Sequence, residues 1–121
     1  MSLYINGIEA TSGSSPDGTL VDAVQTINAT GIPTAVFLLG NLVKVDTSLG
    51  DIDVTFPNFD ATHDRKGGTI QNESTGLLRL IAPVGYTFLH AGGVTSPYSM
   101  PDQGDSIGFL YVHATTVIHL F

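Results

Sequence analysis

Four histidines, His63, His90, His113 and His119, are the side chains best suited to metal or acid–base chemistry in this 121-residue sequence. Zinc needs three or four N, S or O ligands converging on one point. The sequence offers no cysteine and no HxH or HExxH spacing. His113 and His119 flank a predicted hairpin, which makes them the candidate metal pair, alone or with symmetry mates on a three-fold axis. An ordinary strand histidine with one hydrogen bond explains each more simply, so neither a metal nor a cofactor is expected. Asp46, Asp51, Asp53, Asp60 and Asp64 carry the oxygens that calcium takes. The D-x-D-x-D-G loop with its distal Glu is absent, however, and these residues read as a solvated acidic face. A glycosidase needs a carboxyl whose pKa is raised by apolar surroundings, and no acid stands in such a stretch. The run Gly104-Asp105-Ser106-Ile107-Gly108 resembles a nucleophile elbow only superficially. An elbow follows a strand and opens a helix, whereas this serine precedes a strand. The residues therefore predict a non-enzymatic protein. What remains is recognition chemistry. His63, Asp64 and Arg65 share one polar loop (58–68) and Tyr98 stands in a glycine-rich one (91–101); all four are candidate partner contacts. Tyr86, Phe88, Tyr98 and Tyr111 could offer a sugar-stacking platform, although half-buried core is the commoner use of such residues.

The elements that would position these residues are short strands. From residue 51 onward the sequence reads DIDVTF, GTIQN, LLRLIA, TFLH, SIGFLYVH and TTVIHLF, separated by Pro-, Gly- and Asn-rich clusters. Strands of this length with turn signals every eight to twelve residues predict an all-β sandwich or jelly-roll-like barrel. In 51–56, Ile52, Val54 and Phe56 alternate with Asp51, Asp53 and Thr55, so one face is core and one is wet. Pro83-Val84-Gly85 predicts a type II turn, with glycine supplying the positive φ at its third position. Earlier in the chain, Asn6-Gly7 predicts a tight hairpin turn. Leu20, Val21, Val24 and Ile27 form a stripe of 3.6-residue period. That stripe predicts one short helix near residues 19–29, capped by Asp17 or Thr19 and stopped by Gly31 and Pro33. The unbroken apolar run TAVFLL (34–39) predicts a strand buried on both faces, turned at Gly40-Asn41 into a hairpin with LVKV (42–45).

Length bounds the chain to one domain, 1–121, with one core. Net charge is −7, with only Lys44, Arg65, Lys66 and Arg79 as fixed cations. Nucleic acids and anionic membranes are bound through Lys and Arg, so neither is an expected partner. No apolar run is long enough for a membrane helix, and the start MSLYINGIEA lacks the marks of a signal peptide. Only 12% of residues are charged, about half the usual share. A surface that sparing of charge is either clothed in Thr, Ser, Asn and Gly or partly hidden against other subunits, and the second alternative points towards assembly.

Residues 51–121 resemble the β-rich modules of tailed-bacteriophage virion proteins: capsid-decoration proteins, head fibres and tail fibres. The motifs are DVTFPN (53–58), GTIQNESTG (68–76), LRLIAPVGYTF (78–88) and DQGDSIGFLYV (102–112), in that order and spacing. Such modules usually carry a Trp near the final strand, and this sequence has none. The resemblance implies a structural virion protein, commonly a homotrimer, made in the host cytoplasm and placed on the capsid exterior. It would bind the major capsid protein or another virion protein as a decoration, cement or short head-fibre protein. Residues 1–18, which match no such module, are the expected anchoring arm. The alternative implied by the same resemblance is a tail-fibre, adaptor or receptor-tip module recognising a host-surface glycan through loops 58–68 and 91–101.

Overall fold

The structure is a computed structural model and describes residues 23–121. Alternation along the strands is what builds it. Ile52 and Val54, Leu78 and Leu80, Ile107, Phe109 and Tyr111, and Ile118 and Leu120 all turn inward and are buried. The fold is mostly β, in two sheets, with one short helix. The strands are β1 (Val24–Ile27), β2 (Leu42–Val45), β3 (Ile52–Thr55), β4 (Gly67–Asn72), β5 (Leu78–Ile81), β6 (Thr87–His90), β7 (Gly93–Val94), β8 (Tyr98–Met100), β9 (Ser106–Val112) and β10 (Val117–Leu120). One sheet runs β1-β2-β4-β9-β10-β6-β7 and the other β3-β5-β8.

In its first half the chain passes between the two sheets, and each return lies parallel to the strand laid down one circuit earlier. Val24, Leu42 and Thr69 form one row across β1, β2 and β4, and Ile27, Val45 and Asn72 another. In the second sheet Ile52 of β3 lies opposite Leu78 of β5, again in parallel. Gly31 adds a bridge to Val54, donating its N–H to Asp53 O and accepting from Thr55 N–H, both at 3.1 Å. The outcome is a short stack of coils in which each coil covers the backbone edge of the one before, the logic of a solenoid. The second half closes the stack: β9 lies antiparallel on β4, β10 antiparallel on β9, and β6 parallel to β10.

One core lies between the sheets. Phe56 is its centre, with edge-on rings of Phe109 at 5.0 Å, Phe88 at 5.1 Å and Phe59 at 6.3 Å. Edge-to-face contacts of this kind add roughly 0.5–1.5 kcal/mol per pair beyond the area buried. A polar clamp sits at the corner where the coils end. Asn72, fully buried, accepts at Oδ1 from Thr47 Oγ1 (2.8 Å) and Ser74 N (3.2 Å). Its Nδ2 donates to Gly76 O (2.8 Å) and Met100 O (2.9 Å). Four bonds exhaust what an amide side chain can make, so this polar group is buried without an orphan atom.

Several expectations are corrected. Where a helix was expected near 19–29, the described part, Val24–Ile27, is strand β1; the outward Val24 and Thr26 and inward Gln25 and Ile27 suit a half-buried ladder beside β2. The TAVFLL run is not a strand. Thr34 caps a single helical turn, α1 (Ala35–Leu38), by accepting Phe37 N at 3.2 Å. The Asn41 amide closes its other end on the Phe37 carbonyl at 2.7 Å. The run serves as the crossover between two parallel strands, a connection that a two-residue turn cannot make, and so no hairpin joins it to β2. Within 91–101, two short strands replace the expected loop, and Ala91 and Gly92, both at positive φ, form a tight β6–β7 turn. The type II turn at 83–85 is present, with Gly85 at φ 88° and Tyr86 N–H on Pro83 O at 3.0 Å. The Asn6-Gly7 hairpin, the 1–18 arm and the start of the expected helix lie outside the described residues.

Candidate functional site

Ladder register brings the polar loop before β4 against the far end of β9. Asp60 opens a single 3-10 turn, Ala61–His63, through a reciprocal cap. Its carboxylate accepts from Thr62 N at 2.9 Å and from Thr62 Oγ1 at 2.5 Å, while Asp60 N–H donates to His63 Nδ1 at 3.0 Å. Arg65 then takes a left-handed backbone, φ 61°, which lets its N–H reach Tyr111 O at 2.7 Å while Tyr111 N–H meets Lys66 O at 2.9 Å. Asp64 completes the fastening by accepting His113 N–H at 2.9 Å.

Beneath this loop lies an aromatic floor. Tyr111 is fully buried; its ring sits 5.0 Å from Phe59 and 5.8 Å from Tyr86, and its hydroxyl meets His113 Nδ1 at 2.7 Å. Burial pushes the Tyr111 phenol above its ordinary range, and the neighbouring Tyr86, Asp64 and Asp60 push the same way. Asp60 is held below the usual carboxylate range by its hydrogen bonds from the Thr62 side chain and backbone, with His63 and His113 adding to the effect. The carboxylates, the Thr62 hydroxyl and both Nδ1 atoms thus have partners within the cluster. Outward it presents the Arg65 head, 83% exposed, and the exposed Lys66.

His63, Lys66 and Thr62 of this cluster line a groove of about 800 Å³ together with Ala23, Gln25 and Val36. Donors of Lys66, His63 and Gln25 beside Ala23, Val36 and Leu39 make a mixed lining that suits an extended or anionic partner. The structure therefore brings His63, Asp64, Arg65 and His113 to one place. It does not bring His119 there. In the β9–β10 ladder His119 faces Leu110, whereas His113 lies beyond the last pair, Val117 with Val112, in the 3-10 turn His113–Thr115. Among the described residues no group of three or more His, Asp or Glu could hold a metal ion. Tyr98 is elsewhere too, on β8 opposite Leu80, half-buried with its ring 4.9 Å from His90.

The sequence places Lys66 in the exposed 58–68 loop without singling it out as a contact, and it gave no role to Val36 or to the Tyr111 hydroxyl. The signal for Tyr111 was present: alternation in SIGFLYV puts it on the core face with Ile107 and Phe109, and a buried hydroxyl requires a partner. Val36 gave no signal, because its exposure depends on the helical turn. No protein-family model matches the chain, and comparison with curated proteins gives no match either.

Proposed function

We propose that this chain is a non-enzymatic, β-rich structural protein of a bacteriophage virion that assembles as a homotrimer on the capsid exterior and acts there as a decoration or short head-fibre protein. The observation that carries the reading is the surface of the monomer. Leu49 is 100% exposed and Val84 99%, and Val24, Ile32, Val36, Val94 and Phe121 are all more than half exposed. Single exposed apolar residues are ordinary, but turn tips such as those of Leu49 and Val84 need only polar residues in a protein that stays alone. A chain with so few charges that leaves these groups in water is suited to being covered by neighbours. The motif order in 51–121 supplies the class of neighbour, and the net charge of −7 suits a capsid exterior better than its DNA-facing side. Many modest contacts from three linked copies would give attachment by avidity, with the His63–Lys66 loop and the 1–18 arm as contacts.

Light scattering on a sizing column at low micromolar concentration tests assembly. The expected mass is three times the 12.7 kDa chain, and the trimer is expected to co-sediment with empty capsids. A monomer that leaves capsids bare while giving a glycan-array signal abolished by Tyr98→Ala would replace this reading with receptor recognition.

A further inference from the structure

The outer faces of the two sheets differ. On the three-stranded sheet, Asp53 and Thr55 of β3, Arg79 of β5 and Ser99 of β8 turn away from the core, with Arg79 Nε on Asp53 Oδ1 at 2.7 Å. That is the polar exterior a half-buried sheet shows. The second half of the seven-stranded sheet is apolar on both sides. Ile107, Phe109 and Tyr111 of β9 and Ile118 and Leu120 of β10 are buried against the core, so Leu110, Val112 and Val117 point outward. Register carries this patch across four strands. Leu110 stands opposite His119, His119 opposite Leu89, and Leu89 opposite Val94. The Phe121 ring lies over Gly108, where a Cβ would come within 2.9 Å of it. Val94 is 76% exposed and Phe121 72%.

We propose that this outer face, centred on Leu110, His119, Leu89 and Val94, is the surface through which one copy of the chain holds the next. It rests on the self-assembly reading above and names the surface that such assembly uses. Charge selects a second copy as the occupant. The chain carries eleven acids against four fixed cations, so copies repel wherever their acidic surfaces meet. Among the described residues, none of the seven strands of this sheet contains an Asp or Glu. A face that offers Lys44 and His119 and no carboxylate is where the acidic exterior of a neighbour approaches without that repulsion. The apolar centre lies beside the uncharged Thr69, Gln71 and Ser106 of β4 and β9, the apolar middle and polar rim of a protein interface. With Lys44 as the one fixed cation in these strands, the face has no cluster to bind a nucleic acid or an anionic bilayer. In a three-fold ring a patch on each copy meets a different patch on the next. This face therefore does not compete with the exposed tips at Leu49 and Val84 for a place in the contact.

Two substitutions on outward positions of the full chain test this by light scattering. His119→Glu sets a carboxylate in the middle of the patch and is expected to weaken assembly at least about tenfold, giving the 12.7 kDa chain where the parent is a trimer. Thr55→Glu, on the outer face of the other sheet, is expected to leave assembly intact. The absence of cysteine allows a second reading that does not depend on how His119→Glu folds. A maleimide should modify Val94→Cys at least about fivefold more slowly in the trimer than after dilution to the monomer. A trimer that survives His119→Glu, or in which Val94→Cys reacts as fast as in the monomer, would overturn the proposal and leave self-assembly standing. A chain that is monomeric at every concentration would overturn both, and slow modification in that monomer would make residues 1–22 of the same chain the cover. Modification slowed only by added phosphatidylcholine vesicles would overturn it in favour of a bilayer.

Discussion

Asn72 and Tyr111 show at single-residue scale how buried polarity is made safe here. Asn72→Ala strands Thr47, Ser74 and two carbonyls around a cavity at the coil corner, and roughly 3 kcal/mol of stability should be lost. Urea denaturation measures it; a loss below about 1 kcal/mol would mean that the clamp is ornamental. Tyr111 sets an alkaline limit. Burial raises its phenol pKa above the ordinary value, so the neutral form is favoured in the folded chain. Stability from that preference is complete below about pH 10 and is lost as pH rises past it. The urea midpoint should hold up to about pH 9 and fall from about pH 10 upward, and Tyr111→Phe should flatten the fall, although it forfeits the hydroxyl bond to His113. An unchanged slope in the Phe variant would place the alkaline limit elsewhere.

Strands are where the sequence was most and least informative. Those from β3 onward with one wet face were legible, because alternation is a local signal and Asp53, Thr55 and Arg79 mark the wet side. β1 was not. Val24 and Ile27 satisfy a helical stripe as well as a ladder, and the partner that decides between them, β2, arrives only after a whole circuit of chain. α1 was hidden for the opposite reason: an all-apolar run has no period, and only Thr34 and Asn41 reveal the caps. At the candidate site, the contiguous His63, Asp64 and Arg65 could be read as one loop, but its fastening to Tyr111 and His113 depends on β4–β9 register. That register rests on close backbone approach. A side chain on Gly67 would run into the Phe109 carbonyl, while one on Gly31 meets nothing within 4 Å. Gly67→Ala should therefore cost at least about 3 kcal/mol in thermal or urea denaturation, and Gly31→Ala within about 0.5 kcal/mol. Equal effects would show that the β4–β9 contact yields easily.

For the whole molecule the question is what covers the exposed apolar tips. If three copies do so, replacing Leu49 and Val84 together by Ser should shift the mass measured by light scattering from the trimer towards the 12.7 kDa chain, with the urea midpoint of the monomer little changed. A trimer indifferent to both substitutions would place its interface on another face. The winding of the coils also has a kinetic consequence. In the parallel rows Leu42 must find Val24 behind it and Thr69 ahead of it, so loop closure precedes any reward, and folding of such pairings is slow. The β9–β10 hairpin, closed by a short turn with Thr116 in a left-handed backbone at φ 52°, is the longest pairing available without that delay. Asn tolerates this backbone better than a β-branched residue, so Thr116→Asn should steepen the refolding rate in stopped-flow by a few-fold and leave the unfolding rate nearly unmoved. The hairpin would then be the seed on which the coils are wound, and the end of the chain would govern how soon its beginning can fold.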